Sequence, residues 1–133
     1  ANYDELNGYI DEMKEELLDR FGAVPESVEN LLRISLIRVK AHQIYGTELK
    51  GKKDRLVLTM HEHAPLLVEK IPELLKKHEG RLLFSPKGVP VFTYKLYPTG
   101  FLKKDEEALL QAAEELLEDM ENELLIGTGD KMR

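Results

Sequence analysis

A tight turn between two helices, within residues 19–38 (DRFGAVPESVENLLRISLIR), constrains the fold of this chain more than any other stretch. Phe21 ends the first helical pattern, and Gly22 follows where helices commonly exit through a left-handed residue that glycine adopts without strain. Pro25 suits the first turn of the next helix, because its missing N–H would be unpaired there in any case. The stretch therefore predicts one helix that ends at Phe21 and a second that begins close to Pro25.

The first of these helices, over residues 4–21, has two distinct faces. Its apolar side chains follow the i, i+4, i+7 spacing of one buried stripe, which consists of Leu6, Ile10, Met13 and Leu17. At 100° per residue, a second stripe lies roughly 130° round from the first. This acidic stripe consists of Glu5, Glu12, Glu16 and Asp19.

The second helix, over residues 26–45, is apolar on most of its surface. Only a narrow polar strip, near Glu29, Arg33 and Lys40, interrupts its Val, Ile and Leu side chains. A helix with this pattern is buried on more than one side. We therefore predict that it is the core element, with the first helix and a sheet packed on it.

Alternating apolar residues and turn signals predict the remaining elements. They are, in order, strands over 47–50 and 55–60, a helix over 64–78, strands over 81–85 and 91–96, and a helix over 104–125. Because Pro72 removes one backbone hydrogen bond, the middle helix is either kinked or two short pieces. The order α-α-β-β-α-β-β-α predicts an α+β fold, with a mixed or antiparallel sheet of about four strands packed on helices. We expect one domain over 1–126 and a flexible tail over 127–133.

Charge is distributed unevenly along the 133 residues, whose net charge is −6. Residues 1–30 carry nine acids and two bases, residues 31–95 six acids and thirteen bases, and residues 96–133 ten acids and four bases. The acidic balance argues against broad nonspecific binding to DNA, whereas the basic middle leaves a nucleic-acid interface open. There is no cysteine, and no apolar run approaches the roughly 20 residues that a membrane span needs.

Two groups of side chains are candidates for chemistry or binding beside the acidic stripe. His61 and His63 form an H-x-H pair that could share a metal if Glu69 or His78 supplied a further ligand. The basic candidate, on the predicted hairpin, consists of Lys50, Lys52, Lys53 and Arg55. The many carboxylate pairs lack any signal of desolvation that would raise a pKa for acid–base catalysis. No phosphate loop or nucleophile motif is present, so we expect no catalysis.

The segment D-R-F-G-x-x-P-x-x-V-x-N-L-L-x-I, preceded by an acidic helix and followed by L-I-R-V-K-A, resembles the C-terminal domain of bacterial transcription-repair coupling factors. The resemblance is clearest over residues 12–41, and from about residue 48 only the order of elements and the length agree. One departure is Ile44-Tyr45-Gly46, where the family leads us to expect a Leu-Gly-Ile-like exit from the second helix.

The resemblance implies a non-catalytic regulatory domain of a larger cytoplasmic protein. In this family the C-terminal domain rests on an N-terminal module that resembles the repair protein UvrB and is the docking site for UvrA. Glu16 and Asp19 belong to the matched segment, so with Glu12 they are expected to face arginines on that module and mask its surface. Arg20 lies beside them and could pair with Glu16 instead.

The resemblance also implies what this domain leaves to its parent. The parent would be an ATP-dependent DNA translocase that removes stalled RNA polymerase and recruits nucleotide excision repair. ATP and Mg²⁺ would bind elsewhere in the parent, and this domain would bind no cofactor. Contacts with UvrA, RNA polymerase and DNA would be indirect, and no membrane contact is expected. The alternatives are a nucleic-acid-binding module that uses the basic middle and a small metalloenzyme that uses His61 and His63.

Overall fold

In the computed structural model, which describes residues 2–125, the helices and strands follow the predicted order. The elements are α1 (Tyr3–Phe21), α2 (Glu26–Gln43), β1 (Gly46–Gly51), β2 (Arg55–Met60), a short 3-10 helix (Val68–Lys70), α3 (Ile71–Lys77), β3 (Leu82–Ser85), β4 (Val91–Lys95) and α4 (Leu102–Glu123). The predicted α+β class is confirmed. The tail expected over 127–133 lies outside the described residues. Among the helices of residues 2–125, none has the length and apolar character needed to cross a membrane.

The predicted turn between α1 and α2 is confirmed in detail. Asn2 caps the start of α1, since its Oδ1 accepts a hydrogen bond of 2.8 Å from the Glu5 N–H. At the other end Gly22 has φ of 76°, and its N–H donates to the Leu18 carbonyl at 2.8 Å. Pro25 directly precedes the first residue of α2, where it loses no helical hydrogen bond.

The exit from α2 differs from the prediction. The helix ends at Gln43 and not at residue 45, and Tyr45 takes the left-handed conformation with φ of 71°. This is the position at which the family resemblance leads us to expect glycine. The Tyr45 carbonyl accepts a hydrogen bond of 2.8 Å from the His61 N–H, which ties the turn to the end of β2. The strained turn allows the chain to enter β1 immediately.

The four strands form one sheet in the order β1-β2-β4-β3, and every neighbouring pair is antiparallel. This decides between the mixed and antiparallel alternatives. Leu58 pairs with Phe92, which pairs with Phe84 on β3. Leu56, Leu58 and Met60 are buried on the same face of β2, as the alternation predicts.

The middle helix is shorter than the predicted span of 64–78. Residues before 68 are not helical, because Leu66 forms an isolated bridge with Leu125 and the Leu67 N–H donates to the Leu124 carbonyl. A 3-10 turn follows, and α3 begins at Ile71 with Pro72 in its first turn. Of the two alternatives, two short pieces are therefore correct, since proline fits a helix start better than a helix interior.

The core lies chiefly between α4 and the sheet. The prediction that α1 and the sheet pack on α2 is confirmed, but α2 is not the main core element, because α4 contributes more buried residues. The residues of α4 that are buried are Leu110, Ala112, Ala113, Leu116, Leu117 and Met120. Within α2 only Ile37 and Ala41 are buried, because much of its remaining apolar surface lies under α1 and stays half-exposed. Met13, which its spacing places in the predicted buried stripe, is 45% exposed, and Leu31 on α2 is 64% exposed.

Candidate functional site

The acidic stripe lies on the outer surface of α1. Its four members, Glu5, Glu12, Glu16 and Asp19, are all exposed. The helix packs chiefly against α2, and Ile10 is its only buried residue. Ile10 does not belong to the main apolar core. The stripe is therefore presented by a peripheral helix and faces solvent along most of its length.

The carboxylates of the stripe differ in whether a partner is already present. The Arg20 Nη2 lies 3.0 Å from the Glu16 Oε1, and both side chains are more than 60% exposed. This is the competing pair that the sequence suggested. Within residues 2–125, Glu12 and Asp19 form neither an ion pair nor a side-chain hydrogen bond. Two of the three proposed interface residues are thus available to an external cation.

A second charged cluster lies between α2 and α4 and was not predicted from the sequence. The Arg33 guanidinium donates to both carboxylate oxygens of Glu114, at 2.6 and 3.1 Å, and to Glu107 at 2.7 Å. These hydrogen bonds, that of Glu114 first, raise the pKa of Arg33. Lys40 donates to Glu121 at 2.6 Å. Arg33 and Lys40 are seven residues apart, and Glu107, Glu114 and Glu121 follow one another at the same interval. This matched spacing is the sequence signal that could have revealed the cluster.

Two more charged contacts hold the ends of α4. Near its start, Asp105 accepts hydrogen bonds from the Thr99 N–H at 2.8 Å and the Thr99 hydroxyl at 2.7 Å. These bonds lower the pKa of Asp105. Near its end, Lys77 donates to Glu123 at 2.9 Å and to Asp119 at 3.2 Å, which raises the pKa of Lys77. The first contact ties the start of α4 to the loop before it, and the second ties its end to α3.

Among residues 2–125, no third metal-binding side chain joins the histidine pair. His61 and His63 follow the end of β2 in a turn, and both side chains are exposed. Of the two further candidates, Glu69 is exposed on the 3-10 helix, and the His78 Nε2 lies 2.9 Å from Asp119. Within the described residues, no three metal-binding side chains come together.

The basic hairpin is partly neutralised by its own acids. Lys50 lies 3.6 Å from Glu48, and Arg55 lies 3.4 Å from Asp54. Lys52 and Lys53, in the turn, are exposed.

The sheet face that carries this hairpin also lacks aromatic side chains. On that face Lys50 shares a row with Val57, Thr93 and Leu83, whereas Phe92 and Tyr94 point toward the helices. A sheet that binds single strands stacks bases on exposed aromatic rings. The paired hairpin charges and this face therefore disfavour the nucleic-acid alternative.

Comparison with known proteins gives one consistent family. The model of the TRCF domain family matches residues 5–71. The transcription-repair-coupling factor of Borreliella burgdorferi is 31% identical over 74 residues, which is 56% of this chain and 7% of that protein. The same factor of Rickettsia prowazekii is 24% identical over 100 residues, or 75% of this chain and 9% of that protein. The chain thus spans less than a tenth of these curated relatives.

A solved structure has the same fold. It is described as the crystal structure of the C-terminal domain of transcription-repair coupling factor, and it superposes with a TM-score of 0.57 at 19% identity. The superposition covers 88% of this chain and 79% of that one. Since the family model covers half of the sequence, the chain belongs to the TRCF domain family, that of the C-terminal domain of transcription-repair coupling factors.

Proposed function

We propose that this domain is the autoinhibitory part of a transcription-repair coupling factor. It rests on the N-terminal UvrB-like module of its parent and covers the surface at which UvrA docks. It thereby holds the parent, an ATP-driven DNA translocase of the cytoplasm, in a closed state until stalled RNA polymerase is engaged. The domain itself performs no chemistry, and the ATP and Mg²⁺ sites belong to the rest of the parent.

The exposed acidic stripe on α1 carries this proposal. Glu12, Glu16 and Asp19 share one face of a helix that packs chiefly on α2, so a partner can approach them without disturbing the core. Glu12 and Asp19 have no cationic partner within residues 2–125, which leaves them free to accept arginine side chains. Guanidinium–carboxylate pairs can be bidentate and so combine specificity with orientation.

The strength of such contacts suits a latch that has to open. An exposed ion pair contributes about 0–1 kcal/mol, and salt screens it further. In the intact parent the domain is tethered, so a high effective concentration compensates for weak pairs. A competing partner such as polymerase then needs only modest binding free energy to release the domain.

The experiment is a calorimetric titration of this domain against the parent's N-terminal UvrB-like module. The double variant Glu16→Ala/Asp19→Ala is titrated beside the native domain, and we expect it to bind about tenfold more weakly because two charge pairs are lost. A second variant, Arg20→Ala, should bind about twofold more tightly, since removing the internal pair frees Glu16.

The matched control is Asp11→Ala/Glu15→Ala, which removes two exposed acids about 90° round the same helix. It changes net charge by the same amount but leaves the stripe intact, so its affinity should equal that of the native domain. If both double variants lost the same affinity for the module, net charge and not the position of the stripe would account for the binding. Equal affinity for the native domain and the stripe variant would place the interface elsewhere, and no binding by the native domain would contradict the proposal.

A further inference from the structure

Three large apolar side chains are exposed close to the acidic stripe. Tyr9 and Leu31 are 63% and 64% exposed, and Met13 is 45% exposed. Single apolar residues on a surface need no explanation, but neighbouring ones mark interaction sites more often. Tyrosine and methionine are also enriched at the centres of protein–protein interfaces. Whether these three form one patch depends on how α1 and α2 are packed.

The position of Tyr9 and Met13 round α1 follows from helix geometry. At 100° per residue, both lie between the stripe that contains Glu12 and Glu16 and the seam that buries Ile10. They therefore adjoin the acidic stripe on the side nearest α2. A partner surface that contacts the carboxylates of the stripe therefore also contacts Tyr9 and Met13.

Two contacts between α1 and α2 show where Leu31 lies relative to Tyr9 and Met13. Lys14 lies 3.6 Å from Glu29, and the Lys40 ammonium lies 4.9 Å from the centre of the Tyr3 ring. Both contacts join one edge of α1 to one edge of an antiparallel α2. The same register places Leu31 level with Met13 on the opposite edge. Tyr9 and Met13 on α1 and Leu31 on α2 consequently lie next to one another along the same side of the helix pair.

We infer that Tyr9, Met13 and Leu31 form the apolar half of a docking surface whose charged half is the acidic stripe. This inference rests on the proposed function and deepens it by specifying the partner's chemistry. The occupant is the same surface of the UvrB-like module that receives the carboxylates, and it carries an apolar depression bordered by arginine or lysine side chains. The exposed carboxylates select a cationic partner surface, and the patch adjoins them on the same helix, so one partner covers both.

The peripheral attachment of α1 supports this assignment. Only Ile10 of the helix is buried, and it lies outside the main core. Exposed ion pairs alone are weak and screened by salt, whereas an interface with an apolar centre and a charged rim excludes water from its contacts. The apolar patch gives the latch a component that persists at high salt.

The test titrates the UvrB-like module with the domain at low and high salt and at several temperatures. The variant Tyr9→Ser/Met13→Ser should lose at least about tenfold in affinity at both salt concentrations, and its heat-capacity change should be less negative because less apolar surface is buried. The variant Glu16→Ala/Asp19→Ala should lose affinity mainly at low salt and keep the native heat-capacity change. Because Leu31 belongs to α2, Leu31→Ser should weaken binding without changing the sequence of α1.

Leu18→Ser is the matched control. Leu18 is 51% exposed on the far side of α1, so its loss removes similar apolar area without touching the patch. Circular dichroism establishes that each variant keeps its helices. Native binding by both Tyr9→Ser/Met13→Ser and Leu31→Ser, while the acidic variant binds more weakly, would overturn this inference and leave the proposed function intact.

The other possible occupant is a second copy of this chain. Analytical ultracentrifugation that showed a dimer abolished by Tyr9→Ser/Met13→Ser would overturn the inference by assigning the patch to self-association. Failure of the native domain to bind the module at all would overturn the proposed function and this inference together.

Discussion

At the scale of single residues, Gly46 shows how closely α2 approaches the sheet. A Cβ at this position would lie 2.7 Å from the Ala41 carbonyl oxygen and 3.1 Å from the Leu58 Cδ1. The nearer contact is with backbone, which cannot move aside as a flexible side chain can. We expect Gly46→Ala to lower the free energy of unfolding by about 1–3 kcal/mol, as overpacking of a core does. Urea denaturation followed by circular dichroism measures it.

The same substitution at Gly8 should have the opposite sign. Gly8 lies inside α1, and a Cβ there would meet no atom within 4 Å. Since alanine is favoured over glycine in a helix interior by about 1 kcal/mol, Gly8→Ala should raise the free energy of unfolding by up to that amount. A loss of stability in Gly8→Ala, or none in Gly46→Ala, would contradict this account of the two sites.

At the scale of elements, the charged cluster between α2 and α4 joins two helices far apart in sequence. The Arg33 side chain is only 25% exposed and contacts two carboxylates. Arg33→Ala should therefore lower the free energy of unfolding by about 1–2 kcal/mol, more than an ordinary surface pair contributes. Arg33→Lys should recover part of the loss, because an ammonium keeps the charge but not the paired donors that fit Glu114.

Lys70→Ala is the control for that measurement. Lys70 lies 3.4 Å from Glu73 in an i, i+3 pair whose two side chains are more than half exposed. Its removal should change the free energy of unfolding by no more than about 0.5 kcal/mol. If Arg33→Ala is no more destabilising than Lys70→Ala, the cluster holds the helices no better than a surface pair.

At the scale of the whole molecule, the domain is divided into a strong centre and a weakly attached first helix. The centre contains α4 and the sheet, with Phe92, Leu116 and Met120 fully buried, whereas α1 buries only Ile10. In native-state hydrogen exchange, we expect amides in the middle of α1 to exchange at least about tenfold faster than those of β4 and the middle of α4. Equal protection would mean that α1 unfolds only with the rest of the domain.

The sequence predicts this architecture well where periodicity reports burial. The alternation of Leu56, Leu58 and Met60 predicts the inward face of β2, and Gly22 predicts the end of α1. The pattern is less informative where burial depends on a neighbour: Met13 has the spacing of a buried residue but lies at the rim of the seam with α2. Periodicity describes one element, whereas burial depends on two.

The candidate site, too, could be predicted where it depends on one helix and not where it depends on a neighbouring surface. The common face of Glu12, Glu16 and Asp19 follows from helix geometry alone, and all three lie exposed on α1. Their intended partner cannot be derived from one helix, because an ion pair is a property of two surfaces. The contact of Arg33 with Glu114 was missed for the same physical reason, since 81 residues separate them.

Within residues 2–125, the order β1-β2-β4-β3 leaves β1 and β3 as the outer strands, each with backbone groups on one side that no other strand of this range pairs. On β1, Glu48 and Lys50 place charges beside those groups. β3 is only four residues long and ends just before Pro86, which has no N–H to donate. Both edges therefore resist the addition of a foreign strand, and the sheet is protected from the edge-to-edge aggregation to which a long, uncharged outer strand would expose it.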